Sequence, residues 1–229
     1  KIAPSATVHP KAVLADDVEV GPGCCIGPDV RIGPGSRLLP NVTILGHTQI
    51  GARNVFYPAS VIGASPQDLK YQGSSTRLII GDDNVFRECV TAHTGTEIAG
   101  GVTEIGHHNQ FQVGTHIAHD VKLGSHCILS NQVQLAGHVH VEDHVVISGL
   151  VGVQQFVTIG KFCFVAGAAR CTTDAPPFTI IGFALALYAA MGLSSLSPAL
   201  GLSNAEGVLE YGPLVVSIGT SRLLALRQR

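Results

Sequence analysis

A six-residue repeat of large apolar side chains is the feature of this sequence that most constrains its fold. Two series place an apolar residue at every sixth position, eleven in each: Ile2, Val8, Leu14, Val20, Ile26, Ile32, Leu38, Ile44, Ile50, Phe56, Ile62, and then Ile105, Phe111, Ile117, Leu123, Leu129, Leu135, Val141, Ile147, Val153, Ile159, Val165. Because 45% of the chain is hydrophobic, eleven consecutive matches arise by chance on the order of once in several thousand trials. The repeat therefore reflects the fold.

A period of six matches neither the 3.6-residue period of a helix nor the two-residue period of a single strand. It predicts short strands joined by turns, with three hexapeptides per coil and coils stacked at about 4.8 Å, the strand spacing of a sheet. The motif resembles that of left-handed parallel β-helices, whose corners need residues that tolerate left-handed backbone. The predicted fold is therefore all-β: a left-handed parallel β-helix of hexapeptide repeats over residues 1–178.

The repeat is interrupted between its two series, and it fades near the C-terminal end. We expect surface loops near residues 65–77 and 96–102, where insertions would leave the β-helix. Residues 179–229 are expected to form a short, helical C-terminal appendage. The run without charge over residues 175–205 contains glycine, proline and serine and no flanking basic cluster, which argues against an integral membrane segment.

Net charge and cysteine spacing indicate which partners and which cellular compartment to expect. The net charge of −2 gives no reason to expect nucleic acid, because such binding depends on clustered Lys and Arg. The six cysteines form no C-x-x-C pair, so we expect reduced thiols packed as small apolar residues. No secretory signal is visible at the N-terminus, and we expect a cytoplasmic protein.

Histidines are concentrated in the middle of the chain, where successive coils would stack them on one face. Nine lie between residues 93 and 144: His93, His107, His108, His116, His119, His126, His138, His140 and His144. Three neutral imidazoles and a water would suit a catalytic zinc ion, as in trimeric β-helical carbonic anhydrases. An imidazole could instead act as a general base, with Asp120 fixing the tautomer of His119 if the backbone bends there. Hydrophilic corner residues are the third interpretation.

Five motifs identify a family. They are QDLKYQG at residues 67–73, RECVTAHTGT at 87–96, HIAHD at 116–120, LAGHV at 135–139, and QQF before IG at 154–160. Over about residues 2–178 they resemble the UDP-N-acetylglucosamine O-acyltransferases, which perform the first step of lipid A synthesis. The resemblance implies a cytoplasmic homotrimer that moves a 3-hydroxyacyl group from acyl carrier protein to the 3-position of UDP-N-acetylglucosamine or its 3-amino analogue, with neither a cofactor nor a metal ion.

The resemblance also implies roles for individual residues. His119 matches the general base, Asp120 its orienting partner, and the backbone N–H of Gly137 the oxyanion donor. The implied substrate-binding residues are Gln67, Asp68, Lys70, His93, His116, His138, Gln155 and Gly167. Lys70 of one chain is expected to face His119 of another across a cleft between subunits.

Two departures from the family pattern leave alternatives open. The family has histidine where Gln154 stands, and residues 182–203 lack the arginines that bind the nucleotide in the family. A non-catalytic, degenerate homologue and a trimeric zinc carbonic anhydrase are the alternative functions.

Overall fold

The computed structural model describes residues 1–182 and two further strands at 215–218 and 222–225. Residues 1–182 form a left-handed parallel β-helix with three sheets, as predicted. The first sheet consists of β1 (Thr7–Val8), β4 (Cys25–Ile26), β7 (Thr43–Ile44), β10 (Val61–Ala64), β13 (Thr91–His93), β16 (His116–Ile117), β19 (Gln134–Leu135), β22 (Gly152–Val153) and β25 (Arg170–Cys171).

The other two sheets form the remaining faces of the prism. The second sheet consists of β2 (Val13–Leu14), β5 (Arg31–Ile32), β8 (His47–Ile50), β11 (Arg77–Ile80), β14 (Val102–Ile105), β17 (Lys122–Leu123), β20 (His140–Val141) and β23 (Thr158–Ile159). The third consists of β3 (Glu19–Val20), β6 (Arg37–Leu38), β9 (Val55–Phe56), β12 (Val85–Phe86), β15 (Gln110–Phe111), β18 (Ile128–Leu129), β21 (Val146–Ile147), β24 (Phe164–Val165) and β26 (Ile180–Ile181).

Strand register confirms the eighteen-residue coil and locates both insertions. Thr7 pairs with Cys25 and His116 with Gln134, each eighteen residues apart. The offset grows to thirty residues between Val61 and Thr91 and to twenty-five between Thr91 and His116. The first insertion is the loop between β10 and β11, and the second contains a 3-10 turn at Glu97–Ala99. Both loops therefore leave the prism where the sequence predicts.

The apolar repeat forms the interior. Every residue of the second series is buried, and so is the first series from Val20 onward. Phe56, Phe86 and Phe111 stack inside at centroid distances of 4.8 and 4.7 Å. Ile2 is an exception, with 53% of its surface exposed, because residues 1–182 provide a neighbouring coil on only one side of it.

Two predictions need correction or extension. Four cysteines are buried as predicted, but Cys25 and Cys89 are exposed, because Cys25 is the outward residue of β4 and Cys89 is a corner residue with a φ of 59°. The β-helix continues beyond the predicted boundary at 178, since β26 pairs with β24. The predicted helices of the appendage lie largely outside the described residues, and its described part includes an antiparallel pair of β27 (Val215–Ile218) and β28 (Arg222–Ala225).

Among the described residues, no helix has the length and apolar character needed to cross a membrane.

Candidate functional site

The corner between β16 and β17 brings His119 and Asp120 together. Asp120 has a φ of 60°, a left-handed conformation that turns the chain and breaks the alternation of side chains along a strand. Nδ1 of His119 lies 2.8 Å from Oδ2 of Asp120. Both residues are only 5% exposed. The backbone bend that the pair requires is therefore present.

The Asp120 carboxylate is held from a second direction by Thr96. The Thr96 N–H donates to Oδ1 at 2.8 Å, and the Thr96 hydroxyl donates to Oδ2 at 2.5 Å. The Asp120 N–H in turn donates to Oγ1 of Thr103 at 2.8 Å. Because an ionised carboxylate only accepts hydrogen bonds, Nδ1 of His119 is the donor in their bond. Nε2 is then the basic nitrogen of neutral His119.

Gly137 allows the backbone of the next coil to lie against the His119 ring. A Cβ atom at residue 137 would fall 2.4 Å from Cε1 and 2.6 Å from Nε2 of His119, so any side chain there would collide with the ring. Within residues 1–182, no hydrogen-bond acceptor is paired with the Gly137 N–H. A backbone donor without a partner beside the basic nitrogen is the arrangement that an oxyanion site requires.

Three further histidines surround this pair, as the sequence predicts. The rings of His93 and His116 meet edge to face at a centroid distance of 4.8 Å, and those of His119 and His138 at 5.0 Å. Nδ1 of His116 lies 2.7 Å from the Thr91 hydroxyl. Five imidazole or carboxylate side chains from three coils therefore form one cluster.

Burial keeps three of these imidazoles neutral near pH 7. It lowers the pKa of His93 to about 4, with smaller contributions from His116 and His119. Burial also lowers the pKa of His116 and, against the opposing charge of Asp120, that of His138. Nδ1 of His93 is buried and has no hydrogen-bond partner among the described residues.

The low pKa of His93 predicts a loss of stability in acid. Because the folded-state pKa lies below the unfolded value of about 6.5, protonation of His93 disfavours the folded state, and stability declines as the pH falls from 6.5 toward 4, by less than about 3 kcal/mol. Urea unfolding of wild type and His93→Gln at fixed protein concentration, between pH 7 and 4, measures this contribution. The variant should show the shallower decline, whereas His140→Gln, at an exposed histidine, should follow wild type. Parallel curves for His93→Gln and wild type would contradict the prediction.

The loop between β10 and β11 carries the predicted residues Gln67, Asp68 and Lys70. Oδ1 of Asp68 accepts a hydrogen bond from the Lys70 N–H at 2.9 Å. The charge of Asp68 also opposes the lowering of the His138 pKa, as the smallest of its causes. Gln67 and Lys70 are exposed. That Lys70 faces His119 of another chain stays a prediction.

The 3-10 turn at Glu97–Ala99 contacts the loop between β10 and β11. Oε1 of Glu97 accepts a hydrogen bond from the Gln72 N–H at 3.2 Å, and the Tyr71 hydroxyl donates to the Ser74 carbonyl at 2.7 Å. Glu97 directly follows Thr96, which binds Asp120. One short turn therefore contacts both the loop and the histidine–aspartate pair.

A groove of about 350 Å³ extends from the cluster along the outer face of the first sheet. The residues that line it include His116, Gln134, Gly152 and Arg170 on successive strands of this sheet, and also Gln154. Gln155 and Gly167 are exposed and do not line this groove. The structure of one chain therefore gathers His93, His116, His119, Asp120, Gly137 and His138 but leaves Gln155 and Gly167 apart.

The cluster also bears on the zinc hypothesis. One donor atom each of His119, Asp120 and His138 lies within 4.8 Å of the others. Both carboxylate oxygens of Asp120, however, already accept hydrogen bonds from Thr96 or His119. Since His119 directs Nδ1 at a carboxylate, the arrangement favours an oriented base over a set of three metal ligands.

Comparisons with known proteins identify two similar enzymes. The acyl-[acyl-carrier-protein]–UDP-N-acetylglucosamine O-acyltransferase of Halorhodospira halophila is 48% identical over 187 residues, which cover 82% of this chain and 72% of that protein. The enzyme of the same name from Stenotrophomonas maltophilia R551-3 is 48% identical over 182 residues, which cover 80% and 69%. No family model matches the chain.

Solved structures show the same relationship. The UDP-N-acetylglucosamine acyltransferase of Bacteroides fragilis superposes with a TM-score of 0.78 at 38% identity, covering 80% of this chain and 72% of that one. The Francisella novicida UDP-N-acetylglucosamine acyltransferase gives a TM-score of 0.78 at 42% identity, with coverage of 79% and 66%. The fold, the site and these relatives together show that the chain belongs to the family of the acyl-[acyl-carrier-protein]–UDP-N-acetylglucosamine O-acyltransferases.

Proposed function

We propose that the protein transfers a 3-hydroxyacyl group from acyl carrier protein to the 3-position of UDP-N-acetylglucosamine or its 3-amino analogue, the first step of lipid A synthesis. The observation that supports this most directly is Nε2 of His119 beside the Gly137 backbone, with Nδ1 bound to Asp120 at 2.8 Å. A thioester is already an activated acyl donor. Its transfer to a hydroxyl requires a base and an oxyanion site.

In the proposed reaction Nε2 of His119 acts first as a base and then as an acid, while Nδ1 stays bonded to Asp120. Nε2 removes the proton from the sugar 3-hydroxyl as its oxygen attacks the thioester carbonyl carbon. The Gly137 N–H donates to the oxyanion of the tetrahedral intermediate. When the carbon–sulfur bond breaks, the imidazolium returns the proton to the departing thiolate, while Asp120 stabilises the positive charge. The product is the acylated sugar nucleotide and free carrier-protein thiol, so atoms and charge balance.

The surrounding residues would bind substrate. The charge of Asp68, on the loop between β10 and β11, acts on His138, and the ring of His93 packs edge to face against His116. Gln67, Lys70, His116, His138, Gln155 and Gly167 complete the proposed set. The region in which the family's nucleotide-binding arginines are missing, residues 182–203, lies outside the described residues from 183 onward, and no residue is assigned to the nucleotide there.

The decisive experiment is a product analysis. Purified protein is incubated with 3-hydroxyacyl carrier protein and either UDP-N-acetylglucosamine or its 3-amino analogue, and products are identified by mass spectrometry. We expect one acyl group to be added to one of the two acceptors. Absence of product with both would support the degenerate-homologue alternative, and calorimetric titration with UDP-N-acetylglucosamine would then show whether binding is also lost. Stoichiometric zinc in protein purified without chelator would favour the hydratase alternative.

We propose that the protein is a homotrimer, on the basis of how charge is distributed over the three faces. The outward residues of the second sheet include Arg31, Arg77, Glu104 and Lys122. Those of the third sheet are polar at Glu19, Arg37 and Gln110, but they are apolar over its last four strands: Ile128, Val146, Phe164 and Ile180. Ile128, Phe164 and Ile180 are 37%, 42% and 43% exposed. Such a contiguous apolar face is typical of a subunit interface, and a second copy is the occupant that we assign to it.

The oligomeric state can be measured by light scattering coupled to size exclusion. We expect a mass of three 23.8 kDa chains. Ile128→Glu should reduce the mass because it would bury a charge in the interface, whereas His140→Glu, on the charged second sheet, should not. A trimeric Ile128→Glu protein would show that the third sheet is not the interface.

A further inference from the structure

Thr96 is a buried polar residue next to the catalytic cluster to which the proposed reaction assigns no role. It is 1% exposed and immediately precedes the 3-10 turn at Glu97–Ala99. Both of its hydrogen-bond donors point at the same carboxylate: the N–H donates to Oδ1 and the hydroxyl to Oδ2 of Asp120. Two donors on the two oxygens fix the rotation of the carboxylate plane, which a single hydrogen bond does not.

The space around Asp120 confirms that this contact is closely fitted. A Cβ atom at residue 95, just before Thr96, would lie 2.3 Å from the backbone nitrogen of Val102, 2.5 Å from the carbonyl carbon of Gly101 and 2.8 Å from Oδ1 of Asp120. Glycine at this position therefore lets the chain pass between the second loop and the carboxylate. The backbone N–H of Asp120 donates a separate hydrogen bond to Thr103. Thr96 therefore orients the side chain of Asp120 and not its backbone.

We propose that Thr96 is a positioning residue for the proton transfer by His119. It holds the Asp120 carboxylate in the plane of the imidazole, which keeps the proton on Nδ1 and directs Nε2 toward the sugar hydroxyl. The inference rests on the proposed function, since it concerns the same base. Thr96 itself touches neither substrate nor the reacting atoms in this scheme.

The hydroxyl contribution can be removed without removing the backbone contribution. Thr96→Val keeps the shape and the N–H but deletes the hydroxyl donor, and Thr96→Ser restores it. We expect Thr96→Val to lower kcat about tenfold or more with little change in KM, because a hydrogen bond to a charged group is lost. Thr96→Ser should recover most of the rate. Thr48→Val is the matched control: Thr48 is also 1% exposed, but its hydroxyl donates to the Leu45 carbonyl.

A double-mutant cycle tests whether Thr96 acts through Asp120. In an Asp120→Ala background, Thr96→Val should lower kcat by less than about twofold further, because the group that it positions is gone. Additive losses would overturn the inference, since they would indicate a general structural role. A wild-type kcat for Thr96→Val would overturn it equally. If the valine variant does not fold, Thr96→Ala deletes the hydroxyl together with the γ-methyl group, and thermal unfolding of each variant monitors folding.

Failure of this inference is distinguishable from failure of the proposed function. His119→Ala and Asp120→Ala are assayed in parallel with the same substrates. If both retain wild-type rates, His119 is not the base. If both lose activity while Thr96→Val does not, His119 remains assigned as the general base, and the positioning role of Thr96 is wrong. Nitrogen-15 chemical shifts of His119 give a second readout: a smaller fraction of the Nδ1–H tautomer in Thr96→Val would support the proposal, and an unchanged spectrum would contradict it.

Discussion

Replacing His119 with alanine is expected to lower kcat for acyl transfer by about 10² to 10⁴, the usual contribution of a positioned general base. KM for the sugar nucleotide should change little, because Asp68, His93 and the remaining cluster still line the site. The ring of His119 packs between the Asp120 carboxylate and the Gly137 backbone, so alanine leaves a cavity but no collision. Steady-state kinetics with 3-hydroxyacyl carrier protein as donor measure the change.

The control for this substitution is another histidine that the site does not use. His140→Ala removes an exposed imidazole from the outer face of the second sheet and should keep the wild-type kcat. An effect of His119→Ala confined to KM would mean that His119 only binds substrate. Residual activity that increases when a small amine base such as imidazole is added would support its assignment as the base.

Gly137→Ala is expected to be the most damaging single-methyl change in the site. The added Cβ would lie 2.4 Å from Cε1 and 2.6 Å from Nε2 of His119, so the ring must rotate away from Asp120 or the coil must shift. Either movement displaces the base and the oxyanion donor together. We therefore expect a loss in kcat of about 10² to 10³, comparable to removal of an oxyanion donor in related chemistry.

Gly27→Ala is the matched control for this glycine substitution. A Cβ atom at residue 27 would meet the nearest backbone atoms of the adjacent coil at 3.5 Å, which is ordinary van der Waals contact. This variant should keep both activity and the thermal midpoint. A fully active Gly137→Ala protein would show that the backbone at this position can move without effect, and Gly137 would then be excluded as the oxyanion donor.

The fold was predictable because the repeat encodes it at many positions. Residues such as Ile117, Leu135 and Val153 occupy the same place in successive coils, so an error at one position does not alter the assignment. The prediction fails where a residue lacks the full set of neighbours: Ile2 at the first coil is exposed. The two loops were predictable for the same reason, since they are the places where the period breaks.

The site was predictable only in part. His119 and Asp120 were identified by motif, and the sequence indicated that their contact requires a bent backbone. Thr96 was missed, because its relation to Asp120 passes through an insertion and has no fixed spacing. The steric reason for Gly137 was also invisible, since it depends on the position of a ring eighteen residues earlier. The available signal was that Thr96 is the last residue of the motif at residues 87–96.

The left-handed corner at Asp120 has a consequence for how such sites originate. His138 and Phe156, at the same corner of the next two coils, have φ values of 62° and 66°, close to the 60° of Asp120. The conformation that joins a base to its carboxylate is thus shared by three successive coils and is not a distortion confined to the catalytic pair. An ancestral, inert prism could gain an acid–base pair by exchanging two side chains, without any rearrangement of its main chain.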